Sequence, residues 1–313
     1  METGSTSPPQ QIPPDSRSGG RGPNVFQRMH PVFFALVALA AIFFLYQIIG
    51  GGIVLLLTGG RFVHENVTLI RWTTAGGQLL LILVPTIVLA RVRRPDLKQF
   101  FRLRVPGAAE VIAAVIGVFA LQQMLVGYMA VQDLIPLPTQ IQEFLDTIKR
   151  LYEDMYRVLL VARSPVEFVW VVIVVALVPA VTEELLFRGL VQSSMEESVG
   201  GLGGALLTGL IFGAYHLIPT SLIPLSALGI YLGFLVYRTK NITVAMAAHF
   251  FNNFVACTAM YAHIDEDFIA VAPSGSGGLV AMLVNFALFT VVFLASTAYL
   301  IFMTRAPRTD VIQ

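Results

Sequence analysis

The sequence predicts an all-α, polytopic membrane protein with about eight transmembrane helices and both termini cytoplasmic. Three observations carry that prediction. Hydrophobic residues make up 56% of the 313-residue chain and charged residues only 12%, about half the charged share usual in soluble domains. The mean hydropathy is +0.76. Apolar windows close to the roughly 20 residues that cross a bilayer core recur along the chain, at 31–57, 69–90, 108–131, 165–190, 203–220, 222–238, 242–262 and 278–303.

Taken in order, residues 1–29 are rich in Pro, Gly, Ser and Gln, a composition unable to bury a core, and are expected to form a disordered cytoplasmic tail. The first apolar run outlasts the h-region of a signal peptide. The membrane domain is expected over 30–304, followed by a short cytoplasmic tail at 305–313. Orientation comes from Lys and Arg, which are held on the cytoplasmic side. The loop after the second window carries Arg91, Arg93, Arg94, Lys98, Arg102 and Arg104, and Arg17, Arg21, Arg28, Arg238, Lys240, Arg305 and Arg308 fall on the same side. The other side holds Arg61, Lys149, Arg150, Arg157 and Arg163 together with the acidic Asp265, Glu266 and Asp267.

Residues 132–164 are the one long polar interval. Within it Phe144, Leu145, Ile148, Leu151, Met155 and Leu159 recur at helical spacing, the pattern of an amphipathic helix lying on the membrane surface. Pro219 and Pro224 leave the fifth and sixth windows short and nearly fused. Gly200–Gly201 and Gly203–Gly204 flank Leu202 and read as a flexible connection between spans. The sequon Asn241-Ile242-Thr243 falls on the cytoplasmic side and is a chance match.

Composition also excludes functions. A net charge of +1, with no basic stripe, excludes a nucleic-acid partner. A single cysteine, Cys257, excludes an intrachain disulfide framework and reads as a small buried apolar residue.

The chemistry is concentrated in Thr182-Glu183-Glu184-Leu185-Leu186-Phe187-Arg188, where two carboxylates and a guanidinium interrupt a membrane span. A charge at the bilayer centre costs about 2.5–3.5 kcal/mol even on lenient scales, so such groups face an interior or a cavity and mark function. Glu184 and Arg188, four apart, share a helix face as a structural ion pair. Glu183 points elsewhere and has no local partner. Two further four-residue steps, Phe212 to His216 and His249 to Asn253, each put their end residues on one face. Glu183, His216, His249 and Asn253 are therefore the expected catalytic set.

Such a set activates water: a carboxylate and an imidazole share its proton, and an imidazole with an amide stabilises an oxyanion. One Glu and two His, here Glu183, His216 and His249, equally suit zinc with an open fourth position. The sequence leaves zinc and a metal-free route both open, since the His-Glu-x-x-His signature is absent. No nucleophilic serine elbow and no phosphate-binding glycine loop are present. A membrane transporter relaying ions through the same groups, or a catalytically idle scaffold, are the alternative readings.

Glu183-Glu184-x-x-x-Arg188, Phe212-x-x-x-His216 and His249-x-x-x-Asn253 resemble, in order and spacing, the motifs of the CPBP intramembrane proteases, which include CAAX prenyl endopeptidases and bacteriocin-processing and self-immunity proteins. The resemblance covers about 165–262. It implies an intramembrane endopeptidase in which Glu183, assisted by His216, activates water, His249 and Asn253 stabilise the oxyanion or complete a metal site, and Glu184 with Arg188 form a brace. Metal-dependent and metal-free members are both described. The implied partners are a peptide or membrane-tethered protein substrate and the lipid bilayer; a prenylated substrate is not carried over. A bacterial plasma membrane is the expected location. Counted from the expected helix ends, Glu183 and His249 lie about seven residues, roughly 10 Å, from the cytoplasmic face, and His216 nearly twice as deep.

Overall fold

The computed structural model describes residues 24–60, 63–262 and 275–304, and every regular element among them is helical. Nine helices organise the bundle: α1 (Pro31–Thr58), α2 (Val67–Arg93), α3 (Ala108–Gln132), α4 (Thr139–Leu160), α5 (Pro165–Val199), α6 (Gly201–Tyr215), α7 (Leu222–Thr239), α8 (Ile242–Tyr261) and α9 (Gly275–Met303). Seven described segments are long and apolar enough to cross a membrane. The fifth expected span, α6, has only 15 residues, about 22 Å of helix. It stops within the bundle because His216 ends it and Pro219 follows in a short turn.

Local sequence sets the boundaries. Pro31 and Pro165 occupy first-turn positions, where a missing N–H costs nothing. The Ser164 hydroxyl accepts the Glu167 N–H to start α5. Gly200, at φ +78°, turns the chain from α5 into α6 without a loop, so the glycine-rich stretch is a tight corner. Gly209 lets α6 and α7 touch, since a Cβ there would come within 2.4 Å of the Ile230 nitrogen.

The amphipathic helix expected within 132–164 is α4. It is pinned at its C-terminal end by Arg71 of α2, whose Nε donates to Leu159 O at 3.0 Å, whose Nη2 donates to Val161 O, and whose Nη1 pairs with Glu167 at 2.7 Å.

One end of the bundle is basic and tied together. Arg93 and Arg94 pair with Glu197 at 3.2 and 3.3 Å, Arg102 with Glu196 at 2.5 Å, and Arg104 with Glu110 at 2.6 Å. Residues 24–29, the end of the stretch expected to be a tail, form a capped turn (Val25–Arg28) whose Phe26 carbonyl accepts from Arg93 at 2.9 Å. The close of α9 reaches this end too, where Arg238 donates to Ile301 O at 3.0 Å. Both described chain ends thus sit with the basic loops. The residues 1–23 and 305–313 of the expected tails, Arg61 and the acidic 265–267 lie outside the described residues.

Candidate active site

Wide helical turns frame the site. α5 closes i→i+5 hydrogen bonds over Val172–Leu177 and Leu185–Gln192, flanking the ordinary α-helical Val178–Glu184. α1 and α2 do the same over Phe44–Gly50 and Gln78–Leu83. Such turns concentrate at functional sites, and these segments hold, respectively, the Val175 carbonyl, Arg188, Tyr46 and Gln78. Pro179 has no N–H to offer the carbonyl four residues back, Val175. Asn253 Nδ2 donates to that oxygen at 3.1 Å instead. The helix irregularity in α5 therefore fixes an amide on α8.

The two neighbouring glutamates part company. Glu184 is 0% exposed, and its Oε1 accepts from Arg188 Nη1 and from His249 Nδ1, both at 2.8 Å. Arg188, 1% exposed, donates through Nη2 to Gly229 O at 2.9 Å and stacks its guanidinium 4.6 Å from the Phe212 ring centre. That buried charge is paired, hydrogen-bonded and stacked, as burial demands. Glu183 is half-buried and makes no hydrogen bond or ion pair with another described group. Its charge acts on the phenols of Tyr46, Tyr156 and Tyr215 and on Arg188.

The imidazoles are oriented by acceptors. His216 Nδ1 lies 2.7 Å from Phe212 O; a carbonyl only accepts, so Nδ1 carries a proton and Nε2 is the nitrogen left for other partners. His249 Nδ1 likewise donates to the Glu184 carboxylate. The Phe212 ring sits between them, 4.7 Å from His216 and 6.0 Å from His249, centre to centre. Asn253 and His249 both reach α5, and Asn253 Oδ1 accepts from Asn252 at 3.1 Å. The structure thus joins Glu184, Arg188 and His249 directly and links His216 to His249 through Phe212.

Among the described residues no three His, Cys, Asp or Glu side chains are placed to hold a metal ion.

α5 continues to Val199, where Glu196 and Glu197 meet the basic loop, and α6 runs from Gly201 to Tyr215 before His216. The basic loop also reaches back along α5: Phe101 packs where a Cβ on Gly189 would stand, and Arg102 O accepts from the Ile242 N–H that opens α8, seven residues before His249.

Several site groups escaped the sequence analysis. Arg71 interrupts an apolar window as Arg188 does, and the same criterion would have found it. Tyr46, Tyr152, Tyr156, Tyr215 and Gln78 carry no such signal, because a lone Tyr or Gln in a helix is ordinary. Tyr156, on α4, has its phenol pushed up to about 12 by burial first, and then by the Glu183 charge and Tyr152; burial alone raises Tyr152.

Fold and side chains together define a polytopic membrane protein with titratable groups gathered inside its bundle. Residues 165–255 match the family model described as type II CAAX prenyl endopeptidase Rce1-like, so this core is similar to the CAAX-type intramembrane proteases. Its apolar helices make the chain an integral, multi-pass membrane protein. No curated protein and no solved structure matches the chain.

Proposed function

We propose that this protein is an endopeptidase that hydrolyses a peptide bond in a peptide or membrane-tethered protein by a metal-free glutamate mechanism. The observation that carries this reading is the contrast between adjacent carboxylates: Glu184 is committed to Arg188 and His249, while Glu183 makes no hydrogen bond or ion pair with another described residue. Glu183 takes a proton from water as the oxygen attacks the scissile carbonyl, and the His216 Nε2 lone pair orients that water by accepting its other proton.

The new oxyanion is stabilised by the second Nδ2 hydrogen of Asn253 and, when a proton is present on it, by Nε2 of His249, whose ring Glu184 holds through Nδ1. Collapse of the intermediate breaks the C–N bond, and the proton held by Glu183 passes to the leaving amine. A bacterial plasma membrane is the setting we propose.

The test is cleavage of a membrane-tethered peptide library by purified protein, with and without chelator. Cleavage that survives the chelator and disappears in Glu183→Gln supports the mechanism. Chelator-sensitive cleavage restored by zinc, or cleavage retained by Glu183→Gln, overturns it.

A further inference from the structure

The phenols that feel the Glu183 charge differ in what their hydroxyls do. Tyr46 of α1 is hydrogen-bonded by Gln78 of α2. The Gln78 carboxamide oxygen accepts from the Thr182 hydroxyl at 3.0 Å, which leaves its amide nitrogen for the phenol. Tyr156 of α4 is 40% exposed. The Tyr215 hydroxyl of α6, by contrast, is buried and has no hydrogen-bond partner among the described residues. A buried donor left unpaired lowers stability, so its presence in a native fold calls for a reason.

Its neighbours place that hydroxyl at the site. Phe43 of α1 and Phe187 of α5 meet the Tyr215 ring edge to face, each at 5.2 Å between centres and at 83° and 86° between planes. Phe187 follows Glu183 by one turn on the same face of α5. A ring seated against Phe187 is therefore beside Glu183, whose charge reaches the phenol. Tyr215 also directly precedes His216, whose Nδ1 is taken by Phe212 O.

The backbone holds this placement from both sides. Upstream, a Cβ on Gly213 would collide with the Ser226 hydroxyl, so α6 lies directly against α7 up to its last turn. Downstream, α6 ends at Tyr215 and Leu217 sits at φ +57°, a left-handed conformation that a bulky side chain rarely adopts and that concentrates at functional sites. Pinned backbone and wedged ring leave the hydroxyl as a preformed donor, and the acceptors that a hydrolysis brings to Glu183 are oxygens on the attacked carbon.

We infer that Tyr215 is a further catalytic residue, whose hydroxyl donates a hydrogen bond to an oxygen of the tetrahedral intermediate formed beside Glu183 and His216. This role rests on the proposed peptidase reading, because it requires that intermediate. The phenol keeps its proton throughout: Glu183 still takes the proton from water and returns it to the leaving amine. Tyr215 donates from α6 and Asn253 from α8, so the intermediate is held from two helices.

Tyr215→Phe is the decisive variant, because it keeps the ring between Phe43 and Phe187 and removes only the oxygen. Purified full-length protein is measured in two ways: melting temperature in detergent, and kcat and KM for the membrane-tethered peptide that the wild type cleaves best. A melting temperature at or above the wild-type value is expected, since an unpaired buried donor is lost. With it should come a fall of about a hundredfold in kcat, while KM changes by less than about twofold. Tyr46→Phe, which removes a hydroxyl held by Gln78, should melt below the wild type and supplies the contrast of a phenol spent on structure.

If Tyr215→Phe melts below the wild type, the hydroxyl serves the fold and the catalytic role is overturned. An unchanged kcat, or a change confined to KM, overturns it as well. The Glu183 mechanism fails separately: if Glu183→Gln keeps wild-type cleavage and Tyr215→Phe does not, Tyr215 stands and the general base is another group. A wild-type protein that cleaves no peptide of the library removes the peptidase reading itself, and the Tyr215 role with it.

Discussion

Glu183 and Glu184 are chemically identical and adjacent in sequence, yet one residue of helical rotation, about 100°, gives them opposite environments. The Glu184 layer is closed: Glu184 Oε1 accepts from both the guanidinium and the imidazole beside the Phe187 and Phe212 rings, while Glu184 Oε2 and Arg188 Nε are buried without a hydrogen-bond partner among the described residues. The Glu183 layer is half-buried and has phenols near it, and its carboxylate makes no hydrogen bond or ion pair among the described residues. Charge in a membrane protein is tolerated either by being spent on structure or by being left where water and substrate can meet it.

The largest expected effect separates the layers. Glu183→Gln should lower cleavage by about a thousandfold or more, about 4 kcal/mol of activation free energy, while the melting temperature in detergent stays at the wild-type value. Glu184→Ala or Arg188→Ala should instead cost about 3–5 kcal/mol of stability, the range for stranding a buried charge, read as a large drop in melting temperature. If Glu183→Gln melts early, or Arg188→Ala melts like the wild type, the division between the layers is wrong.

That division was legible in the sequence because spacing is local. The i,i+4 interval of Glu184 and Arg188 can be read without a fold, and so can the apolar windows. The recruitment of His249 to Glu184 was not legible, since a contact across 65 residues depends on how α8 packs on α5. Nor was the end of α5: a window that becomes polar after 190 looks like a helix end, but Gln192, Glu196 and Glu197 continue α5 by bonding to α7 and the basic loop. The role of Asn253 depended on Pro179, seventy-four residues earlier, whose missing N–H matters only once α5 and α8 are neighbours. Arg71 was readable and was overlooked.

A smaller effect tests the link between the layers and the irregular helix. Asn253→Ala leaves Val175 O without its side-chain donor and should cost about 1–3 kcal/mol, the usual range for an orphaned buried acceptor, together with a fall in turnover. Asn253→Asp removes the same donor and also adds a charge, so it should be worse than Ala in both stability and rate. Equal behaviour of Asp and wild type would show that the amide hydrogens do nothing for either.

The smallest effect belongs to α4. The Tyr156 phenol is pushed up to about 12 in the folded protein, above its ordinary value of 10, chiefly by desolvation, although 40% of the residue's surface stays exposed, and secondarily because Glu183 is negative. A raised folded-state value means that the folded form holds the proton more tightly than the unfolded form, so stability is fully present below pH 10 and is lost as pH rises from 10 through about 12. Tyr156→Phe removes this titration and should flatten the alkaline decline in melting temperature over that window, while leaving neutral-pH stability nearly unchanged. Glu183→Gln should lower the same phenol's titration point by removing the nearby negative charge, because an anion beside a phenol opposes its ionisation. An alkaline melting limb identical in wild type, Tyr156→Phe and Glu183→Gln would mean that α4 does not bring Tyr156 to the Glu183 layer.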